Sequence, residues 1–466
     1  LPADDVAAKE RTQRLSVREG MVWSLMWGFG ESYIAPFAIA LKAGSTAMAF
    51  MGTLPGLVGA FAQIAGANIV ERVGKRRPIS VVCTALQSLC YLPLFIIPYL
   101  FPSVAVPVVV CIYILITAAN SLASPAWTSM MGDVVPDKVR GAYFARRNQF
   151  IIAGMILTMT VAGCALWMFK RHDMIWMGFA GLFVIAFLAR AAGAGLLTRH
   201  YDPPYHAAKD TYYSFLDFLR RTPKSNFARF TFAIAIMNGA TNIAAPFFGL
   251  YMLRDLHWSY LQFTLNTATA MLAQVIVLPW WGRISDRHGN RMVIIATSVI
   301  IPLLPIAWAL TTNFYALLLV QVVSGLTWSG FNLAVANFIY DSVTSSKLPR
   351  TLSYFGIVNS VFSLLGGVVI GAFLAEHLPV NYGLGQFRVS FLSALPAVFV
   401  VSGLIRVFVG VFLIPIFKEV RKSEPISTGE ILRRMTYGEP FAGQISEIIN
   451  FVSSPMRGNG DKPDDA

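Results

Sequence analysis

Twelve stretches of roughly twenty mostly apolar residues follow one another between residues 19 and 416, and no other feature narrows the fold so far. A helix of about 20 residues crosses the ~30 Å hydrocarbon layer of a bilayer. Backbone groups in lipid need partners within their own segment, and these runs are too long for barrel strands, so each is expected to be a helix. The expected spans are 19–41, 46–69, 79–99, 104–132, 141–168, 174–197, 229–252, 259–282, 292–311, 314–340, 351–375 and 391–416. Composition agrees: 56% of the chain is hydrophobic and 13% charged, where a soluble domain carries about 25% charge. The expected class is an all-α polytopic membrane protein.

The net charge of +13 invites a nucleic-acid reading, but its placement excludes one. One set of alternate loops is dense in Lys and Arg. The opposite set holds little more than Lys42, Lys170, Arg171, Arg254 and Arg388. Such asymmetry marks the basic side as cytoplasmic. Cys83, Cys90, Cys111 and Cys164 all lie in apolar runs and are expected to be buried thiols rather than a disulfide frame or a metal site.

Two loops on the basic side share a pattern. Gly282-Arg283-Ile284-Ser285-Asp286-Arg287-His288-Gly289-Asn290-Arg291 lies between spans 8 and 9. Ala67-Asn68-Ile69-Val70-Glu71-Arg72-Val73-Gly74-Lys75-Arg76 lies between spans 2 and 3. Further pairs recur in the same order about 210 residues apart: Ala35-Pro36-Phe37 with Ala245-Pro246-Phe247, Asp133 with Asp341, Tyr143-Phe144 and Asn148 with Tyr354-Phe355 and Asn359, and Arg190 with Arg406. The chain is therefore an internal duplication of six-helix units, an arrangement common in secondary transporters. The expected organisation is an N-terminal segment 1–18, a first bundle 19–197, a linker 198–228, a second bundle 229–416 and a polar tail 417–466. Tyr212, Phe215, Phe218 and Leu219 beside Arg220 and Arg221 give the linker an amphipathic helix at the membrane surface. A short helix is expected near 429–436.

These loops, and the connection Gly132-Asp133-Val134-Val135-Pro136-Asp137-Lys138-Val139-Arg140-Gly141, resemble the signatures of the major facilitator superfamily over about residues 19–416. Ala67 stands where that family has Gly, and Glu71 where it has Asp. The resemblance implies twelve helices in two pseudo-symmetric bundles, in a bacterial inner (plasma) membrane with both termini cytoplasmic, working as a monomer with no cofactor. It also implies that the loops are gates. Glu71 would meet the start of helix 11, Asp286 the start of helix 5, and Lys75 would pair with Asp133. Arg287 or Arg291 would serve Asp341, because Asn290 is neutral. Arg72, Gly74, Gly282 and Gly289 complete the gating set, the glycines at 74 and 289 permitting the tight turns. A plain positive-inside anchor is the competing reading.

Glu31 is the acid placed deep in a predicted span, about twelve residues from its start, or ~18 Å at ~1.5 Å per residue. A carboxyl there marks an ion, proton or substrate pathway; the alternative is a packing hydrogen bond. Trp27 shares its helix face. Asn238, Thr241 and Asn242 form a polar stripe in span 7, Asn120, Ser124 and Trp127 sit in span 4, and Trp328 and Asn332 in span 10. Helices 1, 4, 7 and 10 line the central cavity in the family, so these residues are the candidate substrate and proton pathway, although each alone fits a helix–helix hydrogen bond. Asn148 and Asn359 are secondary candidates. Helices 6 and 12 face outward in that arrangement, so Arg190 and Arg406 are expected to snorkel to the interface.

Spans 1 and 7 lack interior Arg or Lys, span 5 lacks a Gly-Pro pair, and no Gly-rich Lys-Ser/Thr nucleotide loop is present. The expected function is secondary active movement of a small organic solute, neutral or cationic, with proton coupling at Glu31 as one reading. A non-transporting sensor or assembly scaffold with the same fold is the alternative. No nucleophile–base or metal constellation supports an enzyme.

Overall fold

The computed structural model describes residues 3–100, 103–136, 139–204, 225–343, 348–384, 387–421 and 423–441. The expected linker helix at 212–221 lies outside the described residues. Eleven of the described helices are long and apolar enough to cross a membrane. In the first half these are α2 (Ser45–Val73), α3 (Arg76–Leu100), α4 (Ala105–Val134), α5 (Arg140–Arg171) and α6 (Ile175–Leu197). The second half supplies α7 (Asn226–Asp255), α8 (Tyr260–His288), α9 (Asn290–Leu310), α10 (Phe314–Ser342), α11 (Thr351–His377) and α12 (Leu395–Ile416). The twelfth is α1. It runs as Ala3–Met26, a π-helical stretch Trp27–Glu31, and Ser32–Ala40. Its polar residues, among them Arg18, Glu19, Ser24, Glu31 and Ser32, make it the least lipid-like helix. The sequence reading treated 1–18 as a separate segment, whereas α1 begins at Ala3 without a break.

The duplication is visible in the packing. Helix α2 lies along α4 as α8 lies along α10, and α3 against α4 as α9 against α10. Hydrocarbon gives no hydrophobic drive for helix association, so close approach of backbones does the work, and small residues permit it. A Cβ on Gly66 would run into the Leu122 carbonyl, and one on Gly325 into the Ala270 carbonyl. One glycine on α2 and one on α10 thus bring α2 onto α4 and α8 onto α10. Gly66, not the adjacent Ala67, carries this role in the first half.

Between the two halves, α2 packs along α11 and α5 along α8. Among the described residues, the hydrogen bonds and ring contacts between the halves lie on the side away from the motif loops. There Tyr33 Oη bonds Thr264 Oγ1 at 2.5 Å and the Met159 carbonyl at 2.8 Å. Phe179 and Tyr260 stack edge-on at 5.6 Å, and Thr46 bonds Glu376. The largest apolar core draws on both halves at this end. Toward the motif side the cores separate, one large cluster belonging to the second half and two small ones to the first. The cleft between the bundles therefore opens on the motif side.

Beyond α11 a two-stranded hairpin, β1 (Asn381–Leu384) and β2 (Phe387–Ser390), caps the far side. After α12 the chain turns back along the second motif loop and ends its described part in α13, Thr428–Thr436. Ser427 caps that helix by accepting from the Glu430 N–H at 3.1 Å, and Ile431 is buried in the second-half core. The four cysteines are free; Cys83 is buried, while Cys111 is exposed on the outer surface rather than buried.

Candidate functional site: a charged cavity in the first half

Glu31 closes the π-helical stretch of α1. An extra residue in a helical turn re-aims the side chains around it, and such bulges collect at functional positions. Neighbouring glycines let α1 press against its partners here: a Cβ on Gly28 would meet Thr158 of α5, and one on Gly30 would meet Tyr91 of α3 and Ala186 of α6. Glu31 is partly buried and has no hydrogen bond or ion pair among the described residues. It lies near enough to Arg190 for their charges to interact. Trp27, at the other end of the stretch, packs half-buried on the main core.

On α1, twelve residues toward the motif side, stands a second acid that the sequence reading passed over. Glu19 is 5% exposed. Its carboxylate takes Arg147 of α5 at 3.1 Å and Arg190 of α6 at 3.6 Å. Placing the first span at 19–41 left Glu19 at a presumed boundary; α1 carries it inside the bundle. Arg147 also donates to Ser16 and lies over the Trp127 ring at 4.5 Å. Arg190 donates to Gln87 at 2.6 Å and to Asn120 at 3.5 Å.

Glu19, Arg147, Arg190, Asn120 and Trp127 line one cavity of about 280 Å³ with Trp23, Ser124 and Asn148. The structure thus brings Asn120, Ser124 and Trp127 together, with Asn148 beside them. Arg190 does not snorkel. It is 4% exposed and points into the bundle, and Arg406 is 2% exposed, bonded to Ser402 at 3.1 Å and to the Ile301 and Thr241 carbonyls at 3.4 and 3.2 Å. A guanidinium that deep needs acceptors, and both find them between helices rather than at the surface.

The second-half candidates do not assemble into a matching charged site. Asn238 donates to Asn359 of α11 at 2.5 Å. Thr241 and Asn242 bond backward along their own helix, to the Met237 and Asn238 carbonyls. Trp328 packs against Phe331 at 5.4 Å, and Asn332 is exposed.

The motif loops also differ from expectation. Gly74 and Gly289 have φ of 66° and 87°, the region that favours glycine. Asp133 pairs with Arg76 at 2.5 Å, not with Lys75, which is exposed at the start of α3. Arg76 is fully buried and also takes Asp202 at 3.1 Å, Ser129 and the Pro203 carbonyl. Asp202 in turn accepts from the Arg76 and Arg77 N–H groups at 2.8 and 2.9 Å, capping the N-terminus of α3 where an acid is favoured. Glu419 does the same for α9, accepting from Arg291 N–H at 2.7 Å. Asp202 and Glu419 are a further repeat pair at nearly the same offset as the others, which is the signal that would have found them.

Glu71 and Arg72 are exposed; Glu71 has no ion pair among the described residues and does not reach α11. Asp286 meets Arg421 at 3.6 Å instead of α5. Asp341 binds Asn290 and Arg421, both at 2.7 Å, in place of Arg287 or Arg291. Arg287 pairs with Glu424 at 2.6 Å, and Arg291 bonds the Phe417 and Pro415 carbonyls. Gly282, partly buried, needs no special conformation. With the motif side open, the expected cross-bundle contacts are unmade, and the tail occupies the second loop.

Comparison with known proteins follows the same lines. The chain is 33% identical over 110 residues to the class B tetracycline resistance protein of Escherichia coli, 23% of this chain and 26% of that one. It is 24% identical over 165 residues to a multidrug resistance efflux pump, the PmrA homolog of Lactococcus lactis, 35% of this chain and 38% of that one. It is 29% identical over 125 residues to the quinolone resistance protein NorA of Staphylococcus aureus, 27% and 32%. The matches span between a quarter and two-fifths of those relatives. Among solved structures, the nucleoside transporter NupG superposes with a TM-score of 0.67 at 13% identity, over 87% of this chain and 99% of that one. A bacterial homolog of the lysosomal transporter Spinster, inward-facing and occupied, gives 0.61 at 14%, over 87% and 94%. At such identities these two speak for the fold alone. The family model described as Major Facilitator Superfamily matches residues 20–224 and 230–447, nearly the whole chain, and the protein is a member of that superfamily of membrane transporters.

Proposed function

We propose that the protein is a secondary active transporter that moves a small organic solute by rocking its two bundles around the cleft, with the motif side cytoplasmic. The observation that carries this reading is that, among the described residues, the hydrogen bonds and ring contacts between the halves lie on the side away from the motif loops. Two bundles bonded to each other at one rim, with Glu71 and Asp286 not engaged across the halves at the other, fit one end state of an alternating-access cycle. In this reading Glu31, unpartnered in its π-helical turn, takes part in proton coupling. Asn120, Ser124, Trp127 and Trp27 face the solute, with Asn238, Thr241, Asn242, Trp328 and Asn332 serving the second half after closure. Glu71, Asp286 and their neighbours act as latches in the opposite state. The relatives' names, tetracycline and quinolone resistance, favour an aromatic organic solute exported from the cell. The protein acts as a monomer in a bacterial inner membrane.

The test is uptake into proteoliposomes of tetracycline, a quinolone, and panels of organic acids and amines, with and without a pH gradient. It is joined to a lock: Thr46→Cys with Glu376→Cys, in a variant whose native cysteines are replaced, bridged by a short bifunctional thiol reagent. Bridging holds the far side shut and should stop uptake. Uptake that continues through the bridged protein, or no gradient-driven movement of any solute, overturns the reading in favour of a non-transporting scaffold.

A further inference from the structure

We propose that the first-half cavity is a subsite for the carboxylate of an organic acid. The proposal rests on the transport reading for its purpose, but its chemistry is separate. The sequence alone favoured a neutral or cationic solute, because Glu31 was the one deep charge in view. The structure adds three charges to the same bundle. Two of them, Arg147 and Arg190, are cationic, and they share the single carboxylate of Glu19.

Hydrogen-bond accounting gives the direction. Donors without acceptors surround the cavity. Trp127 Nε1, on the cavity wall, and Gln87 Nε2, behind it against Arg190, are buried with no partner among the described residues. Arg190 Nη1 stops at 3.6 Å from Glu19, and its Nη2 reaches Asn120 only at 3.5 Å. A buried donor left unmet is costly, and native interiors seldom leave one so. A carboxylate offers acceptors and no donor, and matches the guanidinium fork. An ammonium would add donors to a surplus of donors. Glu31 does not fill the need, since it hydrogen-bonds none of these groups. The remaining wall is mixed, with Trp23, Ala123, Ile151 and Leu197 as its apolar part and the uncharged polar Ser80, Thr84, Ser124 and Asn148 beside them. About 280 Å³ is close to the lower end of ligand pockets, which run ~300–1,000 Å³. The expected ligand is a compact acid with an apolar or aromatic body, seated under Trp127 with its carboxylate against Arg147 and Arg190.

The experiment is calorimetric titration of the full chain in detergent with benzoate and hydrocinnamate, each beside the amide and the amine of the same skeleton. The carboxylates should bind at least about tenfold more tightly than amide or amine. Trp127→Phe keeps the ring and removes the N–H, and should weaken benzoate by roughly tenfold to a hundredfold, the range for a hydrogen bond to a charged group; Arg147→Gln should abolish binding. A cooperative melting transition of each ligand-free variant shows that its fold is intact, lowered for Arg147→Gln because Glu19 loses a partner. Equal binding of benzamide or benzylamine, indifference of benzoate to Trp127→Phe, or no binding by any probe overturns the subsite. Uptake separates the two claims. Benzylamine movement without benzoate binding would remove the subsite and leave transport standing. Benzoate binding without movement across the bilayer would do the reverse.

Discussion

Replacing Arg76 should damage the protein far more than replacing its neighbour Lys75. The Arg76 side chain is fully buried and ties α3 to α4 and to the segment beyond α6. It bonds Asp133 at 2.5 Å and Ser129 O at 3.0 Å on α4, and Asp202 at 3.1 Å and Pro203 O at 2.7 Å beyond α6. Arg76→Ala leaves Asp202, whose side chain is 15% exposed, with its two backbone donors but no counter-charge. It also leaves two carbonyls without their donor. Breaking a buried pair from one side costs about 3–5 kcal/mol. Asp133 is 52% exposed, so water recovers part of its loss, and the lower half of that range is expected. Arg76→Lys keeps the charge but not the fork, and should fall in between. Lys75→Ala removes an exposed side chain with no ion pair and should stay within about 0.5 kcal/mol. Reversible unfolding in mixed micelles by SDS titration compares the three variants on one scale. A Lys75→Ala cost equal to or above that of Arg76→Ala would refute the reasoning and restore Lys75 as the partner of Asp133.

Three further outcomes are expected. Glu31→Gln should leave stability within about 0.5 kcal/mol, because no partner is orphaned, while abolishing the response of solute uptake to an imposed pH gradient; an unaltered gradient response would leave Glu31 as a packing residue. Arg421→Ala should release Asp286 and Asp341 from the tail at a cost of at most about 1 kcal/mol for so exposed a cation, and hydrogen exchange should rise several-fold across residues 286–291; no rise there would show that the tail does not hold the loop. His200, beyond the end of α6, has a fully buried ring with neither nitrogen bonded among the described residues, and burial, with Arg147 nearby, lowers its pKa to about 4. Its ordinary value is about 6.5, so the unfolded chain takes up the proton first. Stability should therefore be full above pH ~6.5 and fall by about 3 kcal/mol as pH drops toward 4. His200→Leu should remove that part of the acid sensitivity, and the same pH slope in both proteins would contradict it.

The sequence alone determined the fold class, the duplication and the tight turns of the two motif loops. Each rests on a one-dimensional signal. Apolar length fixes a helix in lipid, the ordered pairs from Pro36/Pro246 to Arg190/Arg406 fix the repeat, and Gly74 and Gly289 mark turns that need positive φ. Tertiary structure alone decided the partners of the charges. Lys75 and Arg76 are adjacent and both basic, and only the packing of α3 against α4 turns Arg76 inward to Asp133. Arg190 belongs to a helix whose outward face is as apolar as its inward one, so its direction was illegible until α1 placed Glu19 beside it. Glu19 looked like a boundary residue because hydropathy measures the average of a window, and α1 runs on past that window. In a membrane, water does not sort polar from apolar faces along a helix. The sorting is done by which neighbour comes close enough to satisfy a charge, and that is a property of the packed bundle rather than of any one stretch of the chain.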